Sequence, residues 1–475
     1  MYIRKEITEE QLRQQHAFCE MVRALLPRPN CLAAVDTYGC QQNESDSEIL
    51  RGWLVECGYT LTDNFEAADL IAVNTCAVRA HAEMRVLGNV GALTHAKNRN
   101  PNLLVCVGGC MTQQDGMKKK LAESFRMVDL VFGPHEVWKF PELLYNTLLR
   151  HGKKGLRGRL ISAEPSDGVI AENLPRERDN SLKAWLSIMN GCDNFCTYCI
   201  VPYVRGRERS RRSEDILREA TALVQAGYRD ITLLGQNVNS YGKGLPEEVD
   251  FPDLLRKIDA LEGDFVLRFM TSHPKDATEK LFQTMAESTH CAHHLHLPIQ
   301  SGSDRILKQM NRHYDSATYL DKIRLARQYM PDLVLTTDII VGFPGETEED
   351  FEQTLQIVEA VRYDAMFTFI YSPRDGTPAA AMDDPFTRVE KQARFDRLTA
   401  LANRISSEKH ASYVGRTIRV LVDGHSGDSV YNLSSRTRGG RLVHLKGNDS
   451  LIGTFVDATI QNSSTWALFG EVNYG

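Results

Sequence analysis

Three cysteines on one short loop have the spacing of a metal-binding motif. Cys192, Cys196 and Cys199 are separated by three and then two residues, directly after the apolar, strand-like run Ala184–Met189. Thiolates this close together can hold one face of an iron–sulfur cluster, and a [4Fe–4S] cluster with three cysteines keeps one iron open for chemistry. The alternatives are a zinc loop, for which the loop offers no fourth His or Cys, and three buried structural cysteines.

This motif, with an aromatic residue before its last cysteine, resembles the hallmark of the radical S-adenosylmethionine (SAM) enzymes. The resemblance implies that Cys192, Cys196 and Cys199 hold a [4Fe–4S] cluster, whose open iron binds the amino and carboxylate groups of SAM. It also implies that the reduced cluster cleaves SAM to a 5′-deoxyadenosyl radical. Tyr198, in the aromatic position, would lie near the adenine of SAM.

The overall composition is that of a globular protein with several domains. Its 475 residues are enough for about three domains, and its charged content of 25% is ordinary. Met1–Glu10 lacks the apolar core of a signal peptide, and no apolar run is long enough to span a bilayer, so we expect a cytoplasmic protein without membrane contact. The 11 cysteines then favour metal ligation over disulfides. The net charge of −6 leaves any nucleic-acid binding to local basic patches.

Residues 31–150, after an N-terminal extension over residues 1–30, are predicted to form an open parallel α/β sheet. The predicted strands are Leu32–Thr37, Asp69–Asn74, Leu103–Val107 and Asp129–Phe132. Cys40, Cys76 and Cys110 follow the first three of these strands. Because the carboxyl ends of parallel strands converge on one crevice, we expect the three cysteines to share a metal site. Three unrelated, partly buried cysteines are the alternative.

Residues 178–408, after a basic and glycine-rich linker over residues 151–177, repeat a strand–helix pattern six times. The predicted strands are Ala184–Met189, Asp230–Leu234, Phe265–Met270, His293–Leu297, Leu333–Val341 and Ala365–Ile370. The pattern predicts a partial TIM-like (βα)6 barrel whose site lies at the carboxyl ends of the strands. His294 and His296 alternate on one strand, and we interpret them as polar contacts lining the barrel instead of metal ligands.

The loops that follow the predicted barrel strands carry polar and glycine residues, and together they resemble the SAM-binding loops of the radical SAM superfamily. The contacts implied by this resemblance are Gly235 and Gln236 for the amino group of SAM, Gln300 and Ser301 for its ribose, and the loop with Gly342 and Glu346 for its adenine.

Two basic regions are candidates for contact with a nucleic-acid backbone. Arg205 and Arg207 belong to an arginine-rich stretch after the cysteine loop, for which a salt-bridged helix start is the alternative. Residues 411–475 predict a small antiparallel β-barrel, which resembles a TRAM domain, an OB-like RNA-binding module. A purely structural appendage is the alternative for this barrel. Its predicted strands are Thr417–Asp423, Arg441–Leu445, Leu451–Ile460 and Thr465–Val472, and its basic cluster is Arg436, Arg438, Arg441 and Lys446.

The order of the three predicted domains resembles that of the methylthiotransferase family. The N-terminal motifs that carry the resemblance are Thr37-x-Gly39-Cys40-x-x-Asn43-x-x-Asp46-Ser47-Glu48, Asn74-Thr75-Cys76-x-Val78-Arg79 and Gly108-Gly109-Cys110-x-x-Gln113. The closest resemblance is to the MiaB-type tRNA methylthiotransferases, through Val201-Pro202-Tyr203-x-Arg205-Gly206 and Gly235-Gln236-Asn237-Val238-Asn239-Ser240-Tyr241. Gln42, where Met is common, and the N-terminal extension depart from the pattern without removing a ligand.

The resemblance implies that Cys40, Cys76 and Cys110 hold a second, auxiliary [4Fe–4S] cluster. It implies methylthiolation of N6-isopentenyladenosine at position 37 of tRNA, on ring carbon 2, with the tRNA anticodon stem-loop as partner. An aromatic C–H has no usable acidity there, so a radical has to abstract the hydrogen atom. We hypothesise that one SAM methylates sulfur at the auxiliary cluster and a second SAM supplies the radical. We further expect a monomer and an electron donor of the flavodoxin or ferredoxin type, and the sequence leaves the sulfur donor open.

Two other functions fit parts of the pattern. One alternative is a methylthiotransferase that acts on threonylcarbamoyladenosine in tRNA or on a ribosomal protein. An RNA-binding iron–sulfur sensor would also carry clusters and a TRAM domain, but it would have no need of SAM-binding loops.

Overall fold

The computed structural model describes residues 5–77, 80–151, 159–164 and 168–473. The chain divides into two units. Unit 1 comprises Met1–Asp179, Met189–Asp193 and Cys199–Arg211, and unit 2 comprises Asn180–Ile188, Asn194–Tyr198 and Arg212–Gly475. Residues 152–158 of the predicted basic linker lie outside the described residues, as do Val78 and Arg79 of the second cysteine motif.

The described residues of unit 1 form a parallel six-stranded sheet in the order β2-β1-β3-β4-β5-β6. Its strands are β1 (Leu32–Thr37), β2 (Thr60–Leu61), β3 (Leu70–Thr75), β4 (Leu104–Gly109), β5 (Leu130–Phe132) and β6 (Leu160–Ser162). Its helices are α1 (Glu9–Leu25), α2 (Gln41–Glu56), α3 (Ala80–Arg99), α4 (Asp115–Ser124) and α5 (Phe140–Arg150). Strands β3 and β4 are buried along their whole length, as in a parallel sheet covered on both faces, which agrees with the prediction.

The N-terminal extension adds a capped helix to one face of this sheet. The Thr8 hydroxyl accepts a hydrogen bond from the Gln11 amide, and the Gln11 side chain accepts one from the Thr8 amide, so α1 begins with a reciprocal cap. Cys19 and Val22 of α1 join the buried cluster that contains Trp53 and Phe140. Among the described residues, no helix combines the length and the apolar character needed to cross a bilayer.

The cysteine loop follows the first barrel strand. This strand is β7 (Lys183–Ser187), and the elements around the loop are β8 (Met189–Asn190), α6 (Val201–Arg205) and β9 (Arg209–Ser210). Strands β8 and β9 pair antiparallel and enclose the loop between them.

The described residues of unit 2 contain six parallel barrel strands in two three-stranded sheets, β11-β10-β7 and β12-β13-β14. The further strands are β10 (Asp230–Leu234), β11 (Val266–Phe269), β12 (His294–His296), β13 (Val334–Val341) and β14 (Ala365–Ile370). The helices are α7 (Ser213–Gln225), α8 (Phe251–Asp259), α9 (Glu279–Glu287), α10 (Asp304–Gln309), α11 (Ser316–Tyr329), α12 (Glu348–Val361) and α13 (Arg388–Ala411). This arrangement confirms the predicted partial (βα)6 barrel.

The C-terminal residues form a small closed barrel in the order β15-β16-β17-β19-β18. Its strands are β15 (Thr417–His425), β16 (Leu433–Thr437), β17 (Leu442–Lys446), β18 (Phe455–Ser463) and β19 (Leu468–Val472). The prediction of a small barrel is confirmed, with two differences. Strands β17 and β19 pair parallel, and the sequence analysis missed β16, whose buried positions include Ser435 and Thr437 in place of an apolar run.

Crossed arginine contacts fasten this small barrel to the (βα)6 barrel within unit 2. The Arg268 guanidinium donates to the carbonyl oxygens of Thr437, at 3.1 Å, and of Arg438, at 2.5 Å. In return, Arg438 donates to the carbonyl oxygen of Cys291 at 2.9 Å. Lys183 adds a 2.5 Å ion pair to the buried Asp423.

Candidate functional site

The first cysteine triplet lies at the carboxyl ends of three neighbouring strands. Cys40, Cys76 and Cys110 follow β1, β3 and β4, which are adjacent in the sheet. Gly39 and Gly109 have positive φ angles of +143° and +99°, conformations that favour glycine. A Cβ atom on Gly39 would lie 2.6 Å from the Cβ of Cys76, so the glycine allows the first two cysteine segments to approach closely.

Two asparagines of the predicted motifs hold these segments in place. The Asn43 side chain donates to the carbonyl oxygen of Thr75 at 3.1 Å, and the Asn74 side chain donates to the carbonyl oxygen of Asn43 at 2.8 Å. The Cys76 thiol hydrogen-bonds to Cys40 and lowers the pKa of Cys40 to about 6, with burial opposing this shift and Arg205 supporting it. Cys40 and Cys76 are therefore in contact at the carboxyl ends of their strands, and the metal site that they were predicted to share with Cys110 stays a prediction.

A buried arginine completes this triplet. The Arg205 Nε donates to the Cys110 sulfur at 3.1 Å, and its Nη2 donates to the Asp46 carboxylate at 2.7 Å. Burial works to lower the pKa of Arg205, but Asp46 and the Cys110 and Cys40 thiols raise it above its ordinary value. The guanidinium therefore stays charged, and it faces sulfur on one side and carboxylate on the other.

An iron–sulfur cluster at these residues stays a prediction. No group of three or more His, Cys, Asp or Glu side chains in the described part of the chain is arranged to hold one metal ion. A cation at hydrogen-bond distance from one sulfur stabilises the thiolate form that iron requires.

The second triplet lies on the loop between β7 and α6. In unit 1, the Cys192 amide donates to the carbonyl oxygen of Gly206 at 3.2 Å, and Gly191 takes a positive φ of +80°. A Cβ atom on Gly191 would lie 2.0 Å from the carbonyl oxygen of Arg207, so the turn requires glycine. The loop is thus shaped by backbone contacts close to it in sequence.

The middle cysteine of this loop has its own arginine in unit 2. The Arg312 Nη1 donates to the Cys196 sulfur at 3.3 Å, while its Nε and Nη2 donate to the Tyr314 hydroxyl and the Pro298 carbonyl oxygen at 2.9 and 3.0 Å. Burial works to lower the pKa of Arg312, but its neighbours Tyr198, Tyr314 and Cys196 raise it well above its ordinary value. Arg312 is therefore a fixed, buried positive charge beside a predicted cluster ligand.

Buried polar atoms without partners mark the strand-end loops of unit 2. Within the described residues, no hydrogen-bond partner is found for Gln236 Oε1, Asn237 Oδ1, Asn239 Oδ1 and Nδ2, Ser272 Oγ or His273 Nε2. Folded proteins leave few such atoms, because each one costs the desolvation of a polar group. Thr271 and Gln300, two non-glycine residues with φ of +69° and +72°, lie in these loops as well. These loops therefore offer polar atoms that a bound ligand can satisfy, and the SAM contacts implied for Gln236 and Gln300 stay predictions.

The predicted adenine side of the site is apolar with one buried carboxylate. Tyr198 packs against a buried cluster that includes Phe343 and Tyr371. Glu346 accepts hydrogen bonds from the Gly342 amide at 2.7 Å and from Arg394 Nη1 at 3.4 Å. Burial raises the pKa of Glu346 to about 7, with the hydrogen bond from Gly342 and the charge of Arg394 opposing that shift.

Comparison with known proteins places this site in a family. The Radical SAM superfamily model matches residues 186–358, the model described as "Uncharacterized protein family UPF0004" matches residues 33–133, and the TRAM domain model matches residues 411–472. The tRNA-2-methylthio-N(6)-dimethylallyladenosine synthase of Thermoanaerobacter sp. (strain X514) is 47% identical over 98% of this chain and 98% of its own length. The chain belongs to this synthase family. A Clostridium perfringens (strain SM101 / Type A) protein of the same name is 49% identical over 93% of this chain and 97% of its own.

As a member of this synthase family, the chain is a radical SAM methylthiotransferase that uses an iron–sulfur cluster and SAM. The solved structure of the radical SAM methyltransferase TsrM from Kitasatospora setae has a TM-score of 0.54 to this chain at 16% identity. The match covers 74% of this chain and 75% of the TsrM chain, and at 16% identity it supports the fold alone. The matched family models and the relatives confirm the resemblance drawn from the cysteine motifs.

Two residues predicted to contact RNA are buried in ion pairs. Arg205 pairs with Asp46, and Arg441 pairs with Asp364 inside unit 2. Arg207 is about half exposed beside Asp193, and Arg436 lies 3.4 Å from Asp423 with 39% of its side chain exposed. Exposed residues also include Arg438 and Lys446. RNA contact therefore stays a prediction, and it depends on Arg207, Arg436, Arg438 and Lys446.

Three residues with these features, Ser272, His273 and Arg312, were not predicted from the sequence. Ser272 and His273 follow β11 in the same way as the predicted loops follow β10 and β12, so their position after a strand was an available signal. Arg312 lies 116 residues from Cys196 and carries no motif of its own, so no spacing in the sequence pointed to it.

Proposed function

We propose that this chain transfers a methylthio group to ring carbon 2 of N6-isopentenyladenosine at position 37 of tRNA. The observation that carries the proposal is the presence of two cysteine triplets, each with a buried arginine on one sulfur. One triplet matches the radical SAM loop, and the other occupies the sheet edge of unit 1. The relatives at 45–49% identity are named for this modified nucleoside.

The chain's own residues hold and shield the reacting groups. Cys192, Cys196 and Cys199 hold a [4Fe–4S] cluster, and Cys40, Cys76 and Cys110 hold an auxiliary one. When bound, the clusters and SAM supply the radical chemistry and the sulfur. A radical is required because the aromatic C–H is not acidic enough for a side-chain base to remove its proton.

Two further groups of residues position SAM. The unpartnered polar atoms of Gln236, Asn239 and Ser272 bind its polar groups, and the apolar cluster around Tyr198 and Phe343 keeps water from its adenine. Gly235, Gln300, Ser301, Gly342 and Glu346 complete the proposed contacts.

The tRNA anticodon stem-loop is the proposed partner, held by the TRAM barrel and by Arg207. A basic surface on a small β-barrel suits a nucleic-acid backbone. A flavodoxin or ferredoxin type of electron donor, a monomeric state and a cytoplasmic location stay predictions.

Substitution of one cysteine from each triplet tests the division of labour. We expect Cys192→Ala to abolish formation of 5′-deoxyadenosine from SAM under reducing conditions. We expect Cys76→Ala to keep that reaction but to lose methylthiolation of a prenylated anticodon stem-loop. Iron and sulfide counts under anaerobic conditions should fall by one cluster in each variant. Equal loss of SAM cleavage in two folded variants would overturn the assignment.

Two buried cysteines outside the triplets provide matched controls. Cys106 of β4 and Cys291 are fully buried, and burial raises the pKa of the Cys291 thiol to about 12. Cys106→Ala removes one buried thiol from unit 1, and Cys291→Ala removes one from unit 2. Both variants should keep the full iron content, SAM cleavage and methylthiolation.

The target is tested by mass spectrometry of tRNA nucleosides from a deletion strain. We expect N6-isopentenyladenosine to accumulate without its methylthio group, and the chain to restore the modification when it is supplied again. Loss of a methylthio group from threonylcarbamoyladenosine instead would favour the other tRNA target. Absence of any SAM cleavage would favour the iron–sulfur sensor.

A further inference from the structure

One face of the sheet β12-β13-β14 exposes large apolar side chains. Side chains alternate along a strand, and residues paired in register point to the same face. Asp338 pairs with Phe367, and Ile340 pairs with Phe369, so these four residues share a face. Phe367 is 50% exposed and Phe369 is 38% exposed. The opposite face of β13, which carries Leu335, Thr337, Ile339 and Val341, is buried.

The exposure of Phe367 and Phe369 is unfavourable, because their apolar surface is not buried within the described fold. Each phenyl ring in water forgoes burial worth about 25 cal/mol per Å² of apolar surface. Two phenylalanines at positions i and i+2 form one continuous apolar surface beside a carboxylate. Such surfaces mark binding sites more often than isolated exposed residues do.

The polar end of this face is held by a hydrogen-bond network. The His296 Nδ1 lies 3.0 Å from the Thr336 hydroxyl, and its Nε2 lies 3.5 Å from the Asp338 carboxylate. The His296 ring meets Phe367 edge-on, with 6.0 Å between the ring centroids. His294 also contacts the Thr336 hydroxyl, at 3.1 Å. These contacts fix the imidazole and leave the Asp338 carboxylate 29% exposed.

The other end of the face reaches the cofactor loops. Ile340 packs against the cluster that contains Tyr198, Phe343 and Tyr371. Tyr198 and the Phe343 loop are the residues proposed to enclose the adenine of SAM. A flat molecule on the exposed phenylalanines would therefore lie next to the cofactor within unit 2.

We propose that Phe367, Phe369, Asp338 and His296 form the binding site for the prenylated adenine base of the substrate. This inference rests on the proposed function and deepens it. The phenyl rings offer a stacking surface for the purine and apolar contact for its prenyl group. Alkylation leaves one N–H on N6 of the base, and the Asp338 carboxylate accepts a hydrogen bond from this N–H.

The same face predicts discrimination against threonylcarbamoyladenosine. That base carries a carboxylate, which Asp338 repels and which the phenylalanines cannot solvate. The cations near the His294 end are already engaged, since Arg268 pairs with Asp230 and Arg441 pairs with Asp364. They are therefore not free to compensate a second negative charge at this face.

Binding of labelled anticodon stem-loops to the enzyme with both clusters loaded tests the site. One stem-loop carries isopentenyladenosine, and the other carries unmodified adenosine at the same position. Wild type should prefer the prenylated RNA, and Phe367→Ala with Phe369→Ala should abolish that preference. Since stacking of one base on an aromatic ring is worth about 1–3 kcal/mol, affinity for the prenylated RNA should fall about 5- to 150-fold.

Three further variants sharpen the test. Phe65→Ala, which removes a 39% exposed phenylalanine from unit 1, should bind both RNAs like wild type. Phe367→Tyr keeps the ring and should keep most of the preference. Asp338→Asn should raise affinity for RNA with threonylcarbamoyladenosine. Iron content and thermal melting at the wild-type values show that each variant is folded.

The outcomes separate this site from the proposed function. A double Phe variant that is folded and still prefers prenylated RNA would overturn the site, while methylthiolation by wild type would still stand. A wild type that neither prefers nor methylthiolates prenylated RNA would overturn the proposed function itself.

Discussion

The two cysteine triplets receive the same interaction in two different electrostatic settings. In unit 1, Arg205 donates to the Cys110 sulfur and is balanced by the Asp46 carboxylate at 2.7 Å. In unit 2, Arg312 donates to the Cys196 sulfur, and its other contacts are the neutral Tyr314 hydroxyl and Pro298 carbonyl. Within the described residues, no carboxylate forms an ion pair with Arg312. The Arg312 charge is therefore directed at the thiol, whereas the Arg205 charge is shared.

The difference follows from how each triplet is assembled. The unit 1 cysteines come from three separate strand ends, and the Arg205–Asp46 pair joins segments 159 residues apart. The other triplet lies on one loop, so its spacing is set by local backbone geometry. The Arg205–Asp46 ion pair therefore holds chain segments together, whereas the positive charge of Arg312 acts on the Cys196 sulfur.

Removal of Arg205 should have the largest effect. Arg205→Leu leaves the Asp46 carboxylate buried without its partner, which costs about 3–5 kcal/mol. Hydrogen exchange of the β3 and β4 amides should report this loss in unit 1, while the β13 amides of unit 2 should keep their protection. Arg207→Leu breaks an ion pair that is about half exposed and should cost about 1 kcal/mol or less.

A double variant separates the ion pair from the packing at this position. Arg205→Leu with Asp46→Leu removes both charges, so it should be more stable than Arg205→Leu alone. A double variant that is as unstable as the sum of the two single changes would show that Asp46 and Arg205 act independently.

Glu346 shows how a carboxylate–arginine pair behaves in unit 2. Its 3.4 Å contact with Arg394 is longer than the Arg205–Asp46 contact, and burial raises the pKa of Glu346 from 4.5 to about 7. The folded state then binds more protons than the unfolded state between these two values, so stability falls as the pH rises through that window. Glu346→Gln should remove this loss.

Hydrogen exchange of the β13 amides between pH 4 and pH 8 measures the Glu346 effect. Above pH 7, Glu346→Gln should be more stable than wild type by about 3 kcal/mol or less, and the difference should vanish near pH 4. A constant difference across this range would mean that the ionisation of Glu346 is not coupled to folding.

Removal of Arg312 should have the smallest effect on stability. Arg312→Leu leaves no buried carboxylate behind, and the Tyr314 hydroxyl keeps its hydrogen bond to the carbonyl oxygen of Ile299 at 2.8 Å. We expect a cost of about 1–2 kcal/mol from the lost hydrogen bonds, measured by exchange of the β13 amides. A loss as large as that of Arg205→Leu would break the contrast between the two arginines.

The sequence predicted the secondary-structure elements better than the residues that contact the cysteines. The strands Leu32–Thr37, Asp230–Leu234 and Ala365–Ile370 were predicted with the bounds that the structure shows, because each is an apolar run between turn signals. Strand β16 was missed because Ser435 and Thr437 occupy inward positions where apolar residues were expected. Hydrogen bonding to β15 and β17 therefore makes this segment a strand although its sequence lacks an apolar alternation.

The arginines could not be assigned from the sequence, because their partners lie far away along the chain. Arg205 and Arg441 were interpreted as RNA contacts because of their basic neighbours, and only the fold shows Asp46 and Asp364 beside them. Charge patterning describes how many cations a segment has, but tertiary pairing decides which of them reach solvent.

The crossed contacts of Arg268 and Arg438 join the two barrels of unit 2 through hydrogen bonds in both directions. Each arginine donates to carbonyl oxygens of the opposite barrel, so the small barrel is attached at a second place besides its covalent link at the end of α13. If RNA binds to the small barrel as proposed, these hydrogen bonds set its position relative to the (βα)6 barrel.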